Sequence, residues 1–191
     1  MAGYTQGEDM RWDRLFADIE AQLSAEGEAE LGGEIADRTR RERALVGLHE
    51  RLLAATGRAG ISVQAAGLGV VQGHVADVGA DWLLMRASAD REHLVPFTAM
   101  TWVSGLGGRI APPSAVARSF AIGAALRGLS RDRSSVTVVT RDGGRHTGTI
   151  DGVGADALDL AVHAADVPRR PEHVLDVRTV PFGAIGAVIR T

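Results

Sequence analysis

One stretch of this sequence is present twice, and that repeat constrains the fold more than any other feature. Residues 61–85 align without a gap on residues 136–160, and both share the pattern Gly-x-(Val/Ile)-x-x-Val-Gly-Ala-Asp-x-Leu. A second block, Val95–Met100, recurs as Val180–Ile185. A recurring block of this kind marks a folding unit. The sequence therefore predicts two copies of one small β module.

Composition excludes several kinds of site. The 191 residues include no cysteine, which rules out disulfides, thiolate metal ligands and cysteine catalysis. The N-terminal residues lack the apolar core of a secretory signal, and no apolar run reaches the length of a membrane span. We therefore expect a cytoplasmic protein with no membrane partner. All 21 basic residues are arginine, and the codon bias of a GC-rich genome explains this better than selection for phosphate contacts.

The net charge of −3 is unevenly distributed along the chain. The first 37 residues hold ten acidic residues and two arginines, whereas the remainder is mildly basic. A strong nucleic-acid binder is expected to carry a concentrated basic patch. The charge pattern therefore does not favour that class.

Helical periodicity precedes each copy of the repeat. Apolar residues at helical spacing predict an amphipathic helix from Asp9 to about residues 22–26. A second helix is predicted from about Gly33 to Ala55, with Gly57 as its C-terminal cap. A third is predicted from Ser114, as N-cap, to about Ser130. Its expected inner positions are Val116, Phe120, Ala124 and Leu129.

Ten short strands are predicted from apolar alternation bounded by Gly, Asp or Pro. In the first copy they are residues 61–65, 70–78, 82–87, 93–95 and 99–103. In the second copy they are residues 136–141, 145–153, 157–162, 174–179 and 183–189. The predicted organisation is an acidic helical extension (1–33), a first copy with its leading helix (34–105), a linker (106–113) and a second copy with its helix (114–191).

Matching glycines and prolines define both copies. Gly73 and Gly148 interrupt the long second strand, where glycine permits the sharp bend that closes a small barrel. Pro96 and Pro181 separate strand four from strand five, where a ladder N–H would be unused.

The turn after the second strand also matches between the copies. Gly79 and Gly154 are expected to adopt positive φ, and Asp81 and Asp156 are expected to hydrogen-bond to local backbone. The two aspartates are therefore interpreted as turn residues, with ligand binding at the rim as the alternative.

These motifs resemble the Sm-like fold and, within it, bacterial Hfq most closely. Gly148 matches the bend glycine, Asp156 the loop aspartate and residues 184–189 the final strand. The resemblance implies an α+β fold with two tandem Sm-like five-stranded β-barrels, each preceded by a helix, and a helical N-terminal extension.

The RNA-binding residues of that family have no counterpart here. The Lys-His pair of Hfq is replaced by Phe97-Thr98 and Phe182-Gly183, and the Arg-Gly pair of other Sm proteins is also absent. The whole chain further resembles proteins of high-GC Gram-positive (actinobacterial) bacteria. Some of those carry a Fis-type transcription-regulator label, but this sequence has no helix-turn-helix pattern to support it. A shared fold does not imply a shared function.

Catalytic and metal-binding patterns are missing from the sequence. No histidine pair has ligand spacing with a carboxylate on a common element, so we expect no metal. There is no nucleophile elbow and no phosphate-loop lysine. We therefore expect no cofactor and no enzymatic activity. The six histidines are His49, His74, His93, His146, His163 and His173.

Arginine clusters and one tryptophan are the candidate binding residues. The arginines could contact phosphate, or form a solvated helix face that pairs with the acidic N-terminal segment. Trp12, Trp82 and Trp102 are interpreted mainly as core anchors. Trp82 is the exception, because it matches Ala157 in the second copy, and an exposed indole there could stack on a base or anchor a protein. The arginines are Arg38, Arg40, Arg41 and Arg43 on one predicted helix, and Arg127, Arg131 and Arg133 before strand 136.

Two functional hypotheses follow. In the first, the protein is a non-enzymatic interaction protein that forms a homo-oligomer or docks a protein partner, because open strand edges must be paired or covered. In the second, it is a regulator associated with RNA or DNA through the Sm-like rim and the arginines.

Overall fold

The computed structural model describes residues 44–88, 91–112 and 114–190. Within these ranges, the residues from Gly47 onward form one compact unit. The amphipathic helix predicted from Asp9, and residues 33–43 of the next predicted helix, lie outside the described residues. The segment boundaries predicted at residues 33, 105 and 113 stay predictions.

The described part of the chain contains three short α-helices: α1 (Leu48–Leu53), α2 (Ala115–Ser119) and α3 (Ile122–Asp132). The prediction of one continuous helix up to Ala55 is wrong, because Gly47 is extended and α1 begins after it and ends two residues before Ala55. Its C-cap is Ala54 and not the predicted Gly57. Gly57 lies beyond it at a φ of +76°, a conformation that favours glycine. Ser114 is the N-cap of α2, as predicted, because its Oγ accepts a hydrogen bond from the Ala117 N–H at 3.1 Å.

The single helix predicted from residue 114 to residue 130 is wrong. Phe120 and Ala121 are extended, so α3 begins in a new helical phase. As a result Phe120 is exposed, as is Val116, and the buried apolar side chains of α3 are those of Ile122 and Leu126. Periodicity carried across the break therefore selected Val116 and Phe120 wrongly, whereas Leu129 packs against the hydrophobic core as predicted.

Ten strands occupy the predicted positions, with ends that shift by at most two residues. Apolar alternation located them because successive side chains in a strand point to opposite faces. They are β1 (Ile61–Ala65), β2 (Gly69–Val78), β3 (Trp82–Ser88), β4 (Arg91–Pro96), β5 (Met100–Ser104), β6 (Ser135–Thr140), β7 (Arg145–Val153), β8 (Ala157–Val162), β9 (Asp176–Pro181) and β10 (Ile185–Arg190).

All ten strands belong to one antiparallel sheet in the order β5-β1-β2-β3-β4-β10-β6-β7-β8-β9. The predicted fold class, two five-stranded Sm-like barrels each preceded by a helix, is therefore wrong. So is the prediction of two copies of a closed module. The repeated segments instead contribute strands to one open sheet with few and short helices.

The pairing of β4 with β10 joins the two segments. Val188 lies opposite Leu94 and Arg190 opposite Glu92, while the other edge of β10 pairs with β6. The backbone groups of β4 and β10 thus find partners across the segment boundary, which satisfies them without closing either segment on itself.

The hydrophobic core also crosses that boundary. One cluster contains Leu52, Ile61, Val75 and Leu83, all from α1 and the first five strands. The second cluster is built mainly on α3 and strands β6 to β10, but Trp82 and Leu94 belong to it. A third, small cluster joins Ala65, Val95 and Ala187.

Gly73 and Gly148 are required by close backbone contacts. A Cβ on Gly73 would lie 2.2 Å from the Arg86 carbonyl oxygen, and one on Gly148 would lie 2.0 Å from the Ala161 oxygen. Both distances are too short for any side chain, so β2 and β7 approach their neighbours this closely only through glycine. Pro96 and Pro181 end β4 and β9, each followed by a one-turn 3₁₀ helix.

The predicted role of the turn residues is partly wrong. Gly79 and Gly154 are absent from the positive-φ residues of the described chain. A Cβ on Gly79 would instead lie 2.1 Å from the Trp82 ring, so the indole requires this glycine. The carbonyl oxygens of Asp81 and Asp156 accept the N–H groups of the residues that follow Pro96 and Pro181, at 2.8 and 2.7 Å.

Candidate interaction surface

The strongest resemblance to a catalytic arrangement is a hydroxyl beside an imidazole. The Thr149 Oγ1 lies 2.9 Å from His163 Nε2, and His163 Nδ1 lies 2.8 Å from the Ala164 carbonyl oxygen. Since that oxygen can only accept, Nδ1 carries the proton and Nε2 accepts from the hydroxyl. Thr149 and His163 are both 3% exposed. A substrate cannot reach the hydroxyl, so the pair satisfies buried polar groups.

A second buried polar cluster ties α1 to the segment before α3. The Glu50 carboxylate forms an ion pair with Arg118 of α2, and its backbone oxygen accepts the Ala111 N–H at 3.2 Å. The hydrogen bond from Arg118 lowers the pKa of Glu50 below its usual value. Next to it, both ring nitrogens of His49 are buried without a hydrogen-bond partner. The cluster is structural, because the carboxylate already has its cation.

Metal ligands do not converge in the described part of the chain, where no group of three or more His, Asp or Glu side chains could hold an ion. In the same residues, no helix is long and apolar enough to cross a membrane.

Asp81 and Trp82 bind the start of α3, which sequence analysis missed. The Asp81 Oδ1 accepts the backbone N–H of Ile122 at 2.7 Å, and the Trp82 Nε1–H donates to the Phe120 carbonyl oxygen at 2.9 Å. A carboxylate at a helix N-terminus satisfies a free N–H and complements the helix dipole. The prediction that Asp81 bonds to local backbone is therefore wrong.

The expected exposure of Trp82 is also wrong, since the side chain is only 7% exposed. The second segment has alanine, Ala157, where the first has Trp82. The Trp82 indole packs in the second core cluster, which is built mainly from the other segment. Without an accessible ring face, Trp82 offers no stacking surface in this fold.

The arginine clusters divide into two groups. Arg38, Arg40, Arg41 and Arg43 lie outside the described residues. Arg127, Arg131 and Arg133 are exposed, on α3 and at its C-terminal cap. Arg127 donates to the Gly154 carbonyl oxygen at 3.0 Å, so one of the three already contributes to the fold. Their predicted role in binding stays a prediction.

The strands at the two ends of the sheet are β5 and β9, which we call the free edges. Within the described residues β5 pairs only with β1, and β9 only with β8. Each edge presents apolar side chains, with Trp102 45% exposed on β5 and Val177 56% exposed on β9. An edge with unpaired backbone groups and apolar side chains is a template for another strand.

Sequence analysis did not identify these edges as the site. Alternation located the strands, but nothing in it distinguishes an edge strand from an inner one. The available signal was that polar residues occupy both faces of β9, with Asp176 and Arg178 on one face and Thr179 on the other. All three are exposed in the structure.

Comparison of the chain with models of known protein families finds no match, and comparison with curated proteins finds none either.

Proposed function

We propose that this protein is a non-enzymatic interaction scaffold that self-associates by adding strands at the free edges of its sheet. The observation that carries the proposal is the position of β5 and β9 at opposite ends of one ten-stranded order. Among the strands that the structure describes, each has a partner on one side only. A strand from a second copy would satisfy the open backbone groups in the way that β-augmentation does.

The chain itself contains a precedent for such pairing. An antiparallel ladder joins the two repeated segments, where β4 pairs with β10 and Leu94 lies opposite Val188. The fold therefore pairs strand edges that are not neighbours in the sequence, and β5 and β9 each offer such an edge at an end of the sheet.

The proposal is tested by the mass of the protein in solution. Sedimentation velocity over a wide concentration range should give a mass that rises above the 20.1 kDa of one chain. Replacing Trp102 with Ser and Val177 with Pro in one variant should hold the protein at that single-chain mass, because the Val177 N–H faces away from β8 and proline removes it. Val116→Ser, which changes another exposed apolar residue (70%) away from both edges, should associate as the parent does.

A parent protein that stays a single chain at every concentration would contradict the proposal. So would association that the edge variant leaves unchanged. The cytoplasmic location predicted from the sequence is part of the proposal and is tested by fractionating host cells.

The nucleic-acid hypothesis is tested separately, by binding of homopolymeric RNA at two salt concentrations. Micromolar or tighter binding with a clear salt slope would favour it. That binding should weaken when Arg127, Arg131 and Arg133 are replaced by Ala.

A further inference from the structure

The open side of β9 carries specific backbone groups. The Phe182 N–H donates to the Asp156 carbonyl oxygen on the β8 side at 2.7 Å. Backbone groups alternate between the two sides of an antiparallel strand, so Val177 and Thr179 direct theirs away from β8. The Val177 N–H agrees with this, since it donates to the Asp176 side chain at 2.9 Å. Val177, the second residue of β9, is thus its first open position, and Thr179 is the next.

The charges beside Val177 are self-complementary. Asp176 and Arg178 lie on the same face of β9, and the Arg178 Nε donates to the Asp176 Oδ2 at 3.0 Å. Both side chains are about half exposed, at 54% and 45%. If a second β9 runs antiparallel with the two Val177 residues opposite each other, each Asp176 lies opposite an Arg178 of the other copy. Opposite charges in such cross-strand positions are stabilising.

The same register matches the apolar side chains. It places Val177 against Val177 of the second copy on the other face of the strand. Val177 of each copy, which is 56% exposed, would lose water contact on association, which is favourable.

On this basis we propose that two copies associate through β9, antiparallel about a two-fold axis at Val177. The inference rests on the proposed self-association and names the edge and the register. An interface of this kind uses the same patch on both copies and closes as a dimer.

Head-to-tail pairing of β9 with β5 is disfavoured by two glycines at the β4·β10 junction. A Cβ on Gly186 would lie 2.2 Å from the Ala66 oxygen, and one on Gly67 would lie 1.9 Å from the oxygen of Thr140 at the end of β6. The equivalent positions of the repeat hold Thr101, in β5, and Asp142, in the turn between β6 and β7. Their side chains would clash if the junction were repeated between copies.

Charge exchange at β9 tests the inference. Asp176→Arg and Arg178→Asp each place like charges opposite each other, so each variant should dimerise at least roughly tenfold more weakly. An equimolar mixture of the two should form a heterodimer, since every Arg then faces an Asp. The double variant, which exchanges both residues, should form a homodimer again. Sedimentation velocity at low ionic strength measures all four.

Asp132→Arg is the matched control, because Asp132 is equally exposed but pairs with Arg190 at 3.5 Å, away from β9. Its dimerisation should equal that of the parent. Single variants that dimerise normally, or a mixture that forms no heterodimer, would overturn the β9 register. If Trp102→Ser alone abolishes association while the β9 variants keep it, self-association stands and the β9 inference fails. A parent that never associates overturns both.

Discussion

At the scale of single residues, glycine determines how closely strands approach. A Cβ added to Gly148 would lie 2.0 Å from a neighbouring carbonyl oxygen, and one added to Gly73 would lie 2.2 Å from another. Neither has positive φ, so the requirement is space and not backbone conformation. Gly128, in the middle of α3, has nothing within 4 Å of an added Cβ.

These two environments predict opposite effects of the same substitution. Gly148→Ala should lower the free energy of unfolding by about 3 kcal/mol, because the backbone must move to admit the methyl group. Gly128→Ala should raise it by about 1 kcal/mol through helix propensity. Urea unfolding followed by circular dichroism measures both. Equal effects of the two variants would contradict the assignment of Gly148 as a close-contact residue.

At the scale of elements, α3 depends on a residue far away in the sequence. Its N-terminal residues offer no side-chain cap of their own, and the carboxylate of Asp81 accepts the Ile122 N–H instead. The start of α3 is therefore held by the residue that directly precedes β3. This contact explains why the helix predicted from Ser114 breaks at Phe120, whose carbonyl oxygen accepts both the Ala80 N–H and the Trp82 indole N–H.

The repeat supplies a matched test of this cap. Asp81→Ala should lower the free energy of unfolding by about 1 kcal/mol, the usual effect of removing a helix cap. Asp156→Ala changes the equivalent aspartate, which is exposed and uses its backbone oxygen alone in the described hydrogen bonds. It should have little effect in the same urea experiment. A loss of stability of similar size in both variants would contradict the capping role of Asp81.

At the scale of the whole molecule, the junction of β4 with β10 holds a buried histidine. His93 is 6% exposed, lies opposite Ile189 and has an Nδ1 without a hydrogen-bond partner. Burial lowers the pKa of His93 below its usual 6.5, and the nearby Arg91 and Arg145 lower it further. The junction therefore accommodates the neutral imidazole better than the charged one.

This predicts a loss of stability in mild acid. Below about pH 6.5 the unfolded chain binds a proton at His93 that the folded chain does not, so the free energy of unfolding falls as the pH falls. Urea unfolding between about pH 7.5 and pH 5 should show a shallower slope for His93→Gln. The carboxylates with lowered pKa, Glu50, Asp142 and Asp176, lose their contributions only in stronger acid. Parallel curves for the two proteins would contradict the prediction.

Much of the local structure could be predicted from particular residues. Alternation at Ile61, Val63 and Ala65 identified β1, and the hydroxyl of Ser114 identified the start of α2. Local patterns of this kind act within one element, so they locate it without reference to the rest of the chain. The exposure of Trp82 could not be predicted, because its surroundings come from α3, about 40 residues later.

The sequence by itself determined where the strands lie and which residues recur in both segments, because the strand period is a local property. Only the tertiary structure decided that β4 pairs with β10, that Asp81 caps α3 and that β5 and β9 are left as edges. Those outcomes depend on which distant backbone groups satisfy each other. Two segments with the same pattern can satisfy them separately or, as here, together in one sheet.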